Sequence, residues 1–167
     1  RDIIHESESY FQAFERVDYQ LDIQEPTSWS TVADKILKSE QVLCIVNLRR
    51  HAQTLFEEVR AHDPEALHLS TYLFPIHRKY LLRVIRKRIE RGKTCRVCST
   101  QLIECGVDVD FPKVFRALGP LDAIVQAAGR CNREGKLESN GEVWVFRPED
   151  ANPPKGDYFV KVKAAEG

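Results

Sequence analysis

Val42, Leu43, Cys44, Ile45 and Val46 form an unbroken apolar run, and no other feature constrains the chain as tightly. A strand with one wet face alternates apolar and polar residues, whereas a strand covered on both faces is apolar throughout. The run is also too short for a helix. It is therefore read as a buried strand, and its neighbours have helical period. After Thr27 or Ser28, either of which can cap a helix, Trp29, Val32, Ala33, Ile36 and Leu37 recur at i, i+3, i+4, i+7 and i+8. Beyond the run, Ala52, Leu55, Phe56 and Val59 mark the inner face of a second helix. Pro75 opens a long helix to about residue 91, with Leu81, Leu82, Ile85 and Ile89 inward. Residues 121–128 predict a short helix, and 17–23, 66–69, 96–99, 114–118 and 141–146 predict strands. Strands alternating with helices predict an α/β domain with a mostly parallel sheet flanked by helices.

Composition narrows the function classes. Of 167 residues, 43% are hydrophobic and 30% charged, which suits one folded domain rather than a disordered chain. No apolar run approaches the roughly 20 residues of a membrane span, and no signal peptide is visible, so no membrane partner is expected. The sequence starts at Arg1 and lacks Met, which suits a piece of a longer polypeptide. Lys plus Arg and Asp plus Glu balance at 25 each, so any nucleic-acid contact must come from a local patch. Five Cys, an odd number scattered through apolar segments, point to free thiols and a cytoplasmic setting. Residues 1–150 are expected to form the domain. Pro148, Pro153 and Pro154 follow Phe146, so 151–167 is expected to be a tail or a linker to a following domain.

Three features point elsewhere and lead nowhere. Gly92, Lys93 and Thr94 end like a phosphate-binding P-loop, but the position needing its first glycine is Lys87, and a strand rather than a helix comes next. A helix C-cap accounts for Gly92. Cys95 and Cys98 lie on a predicted strand, where residues three apart face opposite ways, so no metal site is expected. The histidines His5, His51, His62, His68 and His77 show no ligand spacing.

Two segments carry chemistry. Ser99, Thr100, Gln101, Leu102, Ile103, Glu104, Cys105, Gly106, Val107, Asp108, Val109 and Asp110 follow a predicted buried strand, and parallel-sheet domains bind ligands at such strand ends. Thr100 and Gln101 suit phosphate and sugar, Gly106 permits close backbone approach, and Asp108 can accept from a ribose hydroxyl or an Arg. A plain polar loop accounts for this segment equally well. The second is Gln126, Ala127, Ala128, Gly129, Arg130, Cys131, Asn132 and Arg133. Its two arginines are expected on one side of a helical turn, anchored by Ile124, Val125 and Ala128. Guanidinium groups match phosphoryl oxygens bidentately. Basic residues favourable to a helix dipole would look the same.

The two together, in this order and on these elements, resemble motifs V and VI of the second motor domain of superfamily 2 helicases. The stretch 98–135 is more similar still to the CRISPR-associated helicase-nuclease of type I systems, down to Gly129, Arg130, Cys131, Asn132, Arg133, Glu134 and Gly135. Ser70, Thr71, His77 and Arg78, and Val46 and Asn47 followed by Ala52, resemble that family too, while Cys105 stands where a smaller residue is common.

The resemblance implies a RecA-like three-layer sandwich acting as the C-terminal lobe of an ATP-dependent single-stranded-DNA translocase in antiviral defence. Arg133 would be the arginine finger and Arg130 a second phosphate contact. Gln126 would orient the nucleotide or couple it to the strand, with Gly129 beside it in the motif. Gly106 and Asp108 would lie near the ATP ribose, and Asn47 and Thr100 would touch the strand backbone. ATP with Mg would be bound mainly by a first RecA-like domain. That domain, a nuclease domain of the same polypeptide and the CRISPR surveillance complex are the implied partners. No Walker A loop, Mg-binding acidic motif or His-Asp nuclease motif occurs in this sequence, so the chain alone is not expected to hydrolyse ATP. A lobe of another superfamily 2 enzyme, such as an RNA helicase, and a non-catalytic binding module are the alternatives.

From Arg78 to Arg96, both included, there are nine Lys or Arg and one Glu. Lys79, Arg83, Arg86, Lys87 and Arg91 can line the helix face opposite its apolar stripe. A solvated helix back explains them as well as a phosphate-binding surface does. Arg78, at the helix start, is the better candidate for DNA, alongside Gln101.

Overall fold

A computed structural model of the chain describes residues 16–70, 73–103 and 108–150. Expectations for His5, Thr71, Glu104, Cys105, Gly106 and the 151–167 segment lie outside the described residues. The elements run β1 (Val17–Thr27), α1 (Trp29–Leu37), β2 (Gln41–Val46), α2 (Arg49–Arg60), β3 (Leu67–Leu69), α3 (Pro75–Glu90), β4 (Cys95–Thr100), β5 (Lys113–Ala117), α4 (Leu121–Ala128) and β6 (Gly141–Pro148). A short 3₁₀ turn, Gln101–Ile103, comes after β4. The strands form one six-stranded sheet in the order β1-β6-β5-β2-β4-β3, and every pairing is parallel.

The apolar run becomes β2, between β5 and β4, with Val42 to Val46 fully buried. Its alternation feeds two cores. Leu43 and Ile45 join Val97, Val114, Val143 and Val145 on one face, under Ile85 of α3 and Ile124, Ala127 and Ala128 of α4. Val42, Cys44 and Val46 join Phe115, Trp144 and Phe146 on the other, under Trp29, Val32 and Ile36 of α1 and Ala52, Leu55 and Val59 of α2. Two helices on each face make three layers, as the sequence predicts. Cys95 packs in the first core and Cys98 in the second, so the two sulfurs diverge. Burial pushes both thiols up, to about 11 and about 12.

Local chemistry sets the helix ends. Ser28, rather than Thr27, caps α1 by accepting from the Thr31 N–H at 3.2 Å. Gly92 takes φ +61°, and Gly92 and Lys93 donate to Ile89 and Arg88 carbonyls at 3.0 and 2.9 Å. These two bonds close α3 as a Schellman cap, so the P-loop look-alike is a helix stop. Arg96 leaves β4 to bind the far end of α1. Its guanidinium donates to the carbonyls of Ile36, Leu37 and Ser39 at 3.2, 3.0 and 2.9 Å and pairs with Asp63 at 2.8 Å. One largely buried side chain thus joins β4, α1 and the turn after α2.

On α3, Ile85 is buried, with Leu81, Leu82 and Ile89 partly so, as the apolar stripe predicts. Lys79, Arg83, Arg86, Lys87 and Arg91 are exposed on the outer side. Among the described residues no helix is long and apolar enough to cross a membrane.

After α4 the chain makes a tight turn against the start of β6. Asn132 takes φ +43°, donates to the Arg16 carbonyl at 3.1 Å and accepts from the Leu137 N–H at 3.3 Å. Cys131 is buried beneath it, its thiol near the Pro112 and Glu142 carbonyls at 3.4 and 3.5 Å and pushed up to about 12, chiefly by burial. A Cβ on Gly141 would stand 2.5 Å from the Cys131 sulfur and 3.0 Å from the Asn132 Cβ.

Two substitutions probe this packing. Arg96→Ala removes the donor that Asp63 and three helix-end carbonyls share, and should lower unfolding free energy in denaturant titration by about 3 kcal/mol. Gly141→Ala should cost about 1–3 kcal/mol by overpacking. Adding Cys131→Ala, which removes the opposing sulfur, should recover part of that loss in the same titration.

Candidate functional site

Two sets of residues that are scattered in sequence gather at separate places. The first is at the carboxyl ends of β2 and β4. Asn47 follows β2, Thr100 ends β4, Gln101 and Leu102 begin the 3₁₀ turn, and Arg78 reaches in from the first turn of α3. With Leu48 and Arg49 they line an open cleft of about 660 Å³. All four residues expected to contact a strand therefore border the same space. Their availability differs. Gln101 is exposed, Arg78 is half-buried with one N–H toward the Leu73 carbonyl at 3.4 Å, and Thr100 is buried. The Asn47 carboxamide is held by the protein itself: its Oδ1 accepts from Arg116 and its Nδ2 donates to the Leu118 carbonyl, both at 2.7 Å.

The second set forms where the chain leaving the 104–107 segment meets the turn after α4. Phe111 and Cys131 form an isolated parallel bridge, with the Phe111 N–H donating to the Arg130 carbonyl and the Asn132 N–H to the Phe111 carbonyl at 2.9 and 3.0 Å. Asp110 closes the junction, accepting from the Arg133 and Glu134 N–H groups at 2.8 and 3.1 Å. Asp108 takes the Arg133 guanidinium at 2.6 Å, and its own carbonyl accepts from Arg86 of α3 at 2.8 Å. Arg133 and Asp108, 25 positions apart, thus form an ion pair whose side chains are 45% and 70% exposed. A pair so wet is held by little, about 0–1 kcal/mol.

The remaining members sit on or just after α4. Gln126 is exposed on the helix, Gly129 is its exposed C-cap, and Arg130 is half-buried in the turn beyond it. Gly106, expected near a ribose, lies outside the described residues. Two details of the expected anchoring are corrected. Val125 is 56% exposed, and Ala127 takes its place in the core beside Ile124 and Ala128, because the helix turns its 125 position outward. Arg130 and Arg133 are not on a helical turn either: α4 ends at Ala128, and the left-handed backbone of Asn132 separates them.

A second cleft, of about 630 Å³, runs between α3 and the 108–112 segment. Glu90, Asp108, Asp110 and Glu134 line it against only Arg86 and Lys136, a wall unsuited to a polyphosphate. The candidate phosphate contacts Arg130 and Arg133 lie outside that wall.

Several residues of the site carried no role in the sequence. Nothing there gives Asp110 a role of its own, and Arg86 reads only as one member of the basic helix face, not as a partner of the 108–112 segment. Arg116 did give a signal, as a charged residue inside the apolar stretch 114–118, and it is fully buried.

Comparison with known proteins bears on the family and the fold. The family model described as CRISPR-associated nuclease/helicase Cas3, C-terminal, matches residues 38–136. A CRISPR-associated nuclease/helicase Cas3 of Methanothermobacter thermautotrophicus is 30% identical over 128 residues, covering 71% of this chain and 15% of the relative. Its counterpart from Haloferax volcanii is 52% identical over 59 residues, covering 33% of this chain and 6% of the relative. The chain spans between 6% and 18% of the length of the curated relatives it matches. Among solved structures, T. fusca Cas3 with AMPPNP superposes with a TM-score of 0.66 at 22% identity, covering 89% of this chain and 20% of that one. The fold is thus the RecA-like sandwich of those proteins, and the chain belongs to the family of Cas3 nuclease/helicase C-terminal domains.

Proposed function

We propose that this chain is the second motor lobe of an ATP-driven single-stranded-DNA translocase in CRISPR defence. The strand lies in the cleft bordered by Asn47, Arg78, Thr100 and Gln101, and ATP meets the surface that carries Arg130 and Arg133. The observation that carries this assignment is the ion pair between Arg133 and Asp108, which brings the expected finger and the expected ribose acceptor together from distant segments. Convergence of the four strand candidates on one cleft supports it from the other side.

The chemistry is a competition for one guanidinium. An exposed ion pair contributes at most about 1 kcal/mol. An arginine finger on a γ-phosphoryl group contributes roughly 10³-fold in rate, about 4 kcal/mol. Arg133 therefore exchanges Asp108 for the phosphate when a first motor lobe presents ATP, and the freed Asp108 carboxylate becomes the acceptor for a ribose hydroxyl. Arg130 is the second phosphate contact, with Gln126 and Gly129 beside it. These guanidinium donors suit the phosphates and not a cation, so Mg belongs with the first lobe, and the isolated chain does not turn over ATP. Opening after hydrolysis releases Arg133 back to Asp108 and moves the strand by one step. The first lobe, a nuclease domain and a CRISPR surveillance complex are the partners, in the cytoplasm.

The test is ATP turnover by the polypeptide that joins this domain to its first lobe, with single-stranded DNA or with RNA. DNA-stimulated turnover that drops by roughly a thousandfold in Arg133→Ala is the expected result. Stimulation by RNA alone would assign an RNA helicase, and no turnover with either nucleic acid would assign a binding module. Turnover unchanged in Arg133→Ala would remove the finger from Arg133.

A further inference from the structure

Arg116 stands in the middle of the sheet with no exposed surface, on the same face of β5 as Val114. Burying a guanidinium is costly unless hydrogen bonds compensate it. Its Nη1 donates to Asn47 Oδ1 at 2.7 Å and to the Ala117 carbonyl at 2.8 Å. Because a guanidinium only donates, the oxygen of the Asn47 carboxamide must face it, and the amide nitrogen must face the other way. There it donates to the Leu118 carbonyl at 2.7 Å. Gly119 packs over this arrangement, where a Cβ would lie 3.4 Å from both the Arg116 Nη2 and the Asn47 Oδ1, about van der Waals contact.

The position of these bonds gives them a consequence. Asn47 borders the strand cleft, while Leu118 and Gly119 are the last residues before Pro120 caps α4. Helix α4 has eight residues, so it is a short rod of about 12 Å. The turn bearing Arg130 and Arg133 is at its far end. The cleft and the phosphate-facing turn are therefore joined by one side chain, one loop and one rigid helix.

We infer that Arg116 is a positioning residue that ties the strand cleft to the root of α4 through Asn47, so that strand occupancy is transmitted to the turn carrying Arg130 and Arg133. This rests on the motor assignment above. Arg116 has no exposed surface to offer either ligand. It fixes the orientation of Asn47, and Asn47 grips the loop from which α4 springs. Without Arg116 the carboxamide is free to rotate, the grip on Leu118 is lost, and the cleft can fill without α4 responding.

The test uses the polypeptide with both lobes and compares wild type, Arg116→Met and Arg116→Lys. ATP turnover is measured without DNA and across a titration of single-stranded oligonucleotide, with thermal unfolding recorded alongside. In Arg116→Met, turnover at saturating DNA should fall about tenfold while DNA-free turnover stays within about twofold. Arg116→Lys, which keeps a buried donor, should recover part of the stimulation. A stimulated rate equal to wild type in Arg116→Met overturns the linkage. So does an equal fall in both rates, which is what a merely structural role gives. If Arg116→Met does not fold, Arg116→Lys carries the test, with stimulation reduced if the linkage holds and unchanged if it does not. Wild type without any stimulation by DNA overturns the motor assignment and the linkage with it, whereas stimulated wild type with a fully stimulated variant overturns the linkage alone.

Discussion

The inner strands of a parallel sheet are covered on both faces, and most of this structure depends on that constraint. The inner strands β6, β5, β2 and β4 need helices above and below, whereas the edge strand β1 is largely exposed, and the two cores take most of the large apolar residues among those described. Little remains for function except the strand ends and the turns between elements. The strand candidates accordingly lie where β2 and β4 stop, and the arginines lie where α4 gives way to the chain entering β6. Polar residues that do enter the layers are there to join parts. Arg96 binds a helix end across the sheet edge, and Arg116 holds a side chain at the rim.

Much of this was legible in the residues, for reasons that are local. Continuous apolar runs and helical periods depend on neighbours in sequence, so β2, α1, α2 and α4 could be placed closely. The Gly92 cap could be told from a P-loop because each needs its own glycine spacing and its own next element, a strand here and a helix in a P-loop. The ends of β1 and β6 extended further than the periodicity suggested, because their pairing with each other continues to Thr27 and Pro148. Which face α4 buries was not legible. Val125 and Ala127 are both apolar, and only the packing of the eight-residue helix on β5 and β6 decides that Ala127 goes inward.

The candidate site divides along the same line. Arg130, Arg133 and Asp108 could be singled out because their spacing resembles known motifs. That Asp108 binds Arg133, and that Asp110 and Arg86 secure the junction, could not, since these contacts join segments 22 to 25 residues apart. Arg116 lies between these cases. A charge inside an apolar strand is conspicuous, but its partner Asn47 is 69 residues away and is reached only once β2 and β5 are adjacent. The near-neutral balance of the chain also gains meaning here. Within the basic run, Arg88 and Arg96 are tied to Glu65 and Asp63, so the run overstates the positive charge offered outward.

The bridge between Phe111 and Cys131 has a mechanical consequence. Main-chain bonds on both sides of it, with Asp110 across the next two amides, make the segment carrying Asp108 and the turn carrying Arg133 one body. Neither can be displaced alone. Separation between the acceptor and the guanidinium is then set by side-chain rotation and not by backbone travel. Whatever ligand this surface meets is measured by a gauge of fixed base and two movable tips.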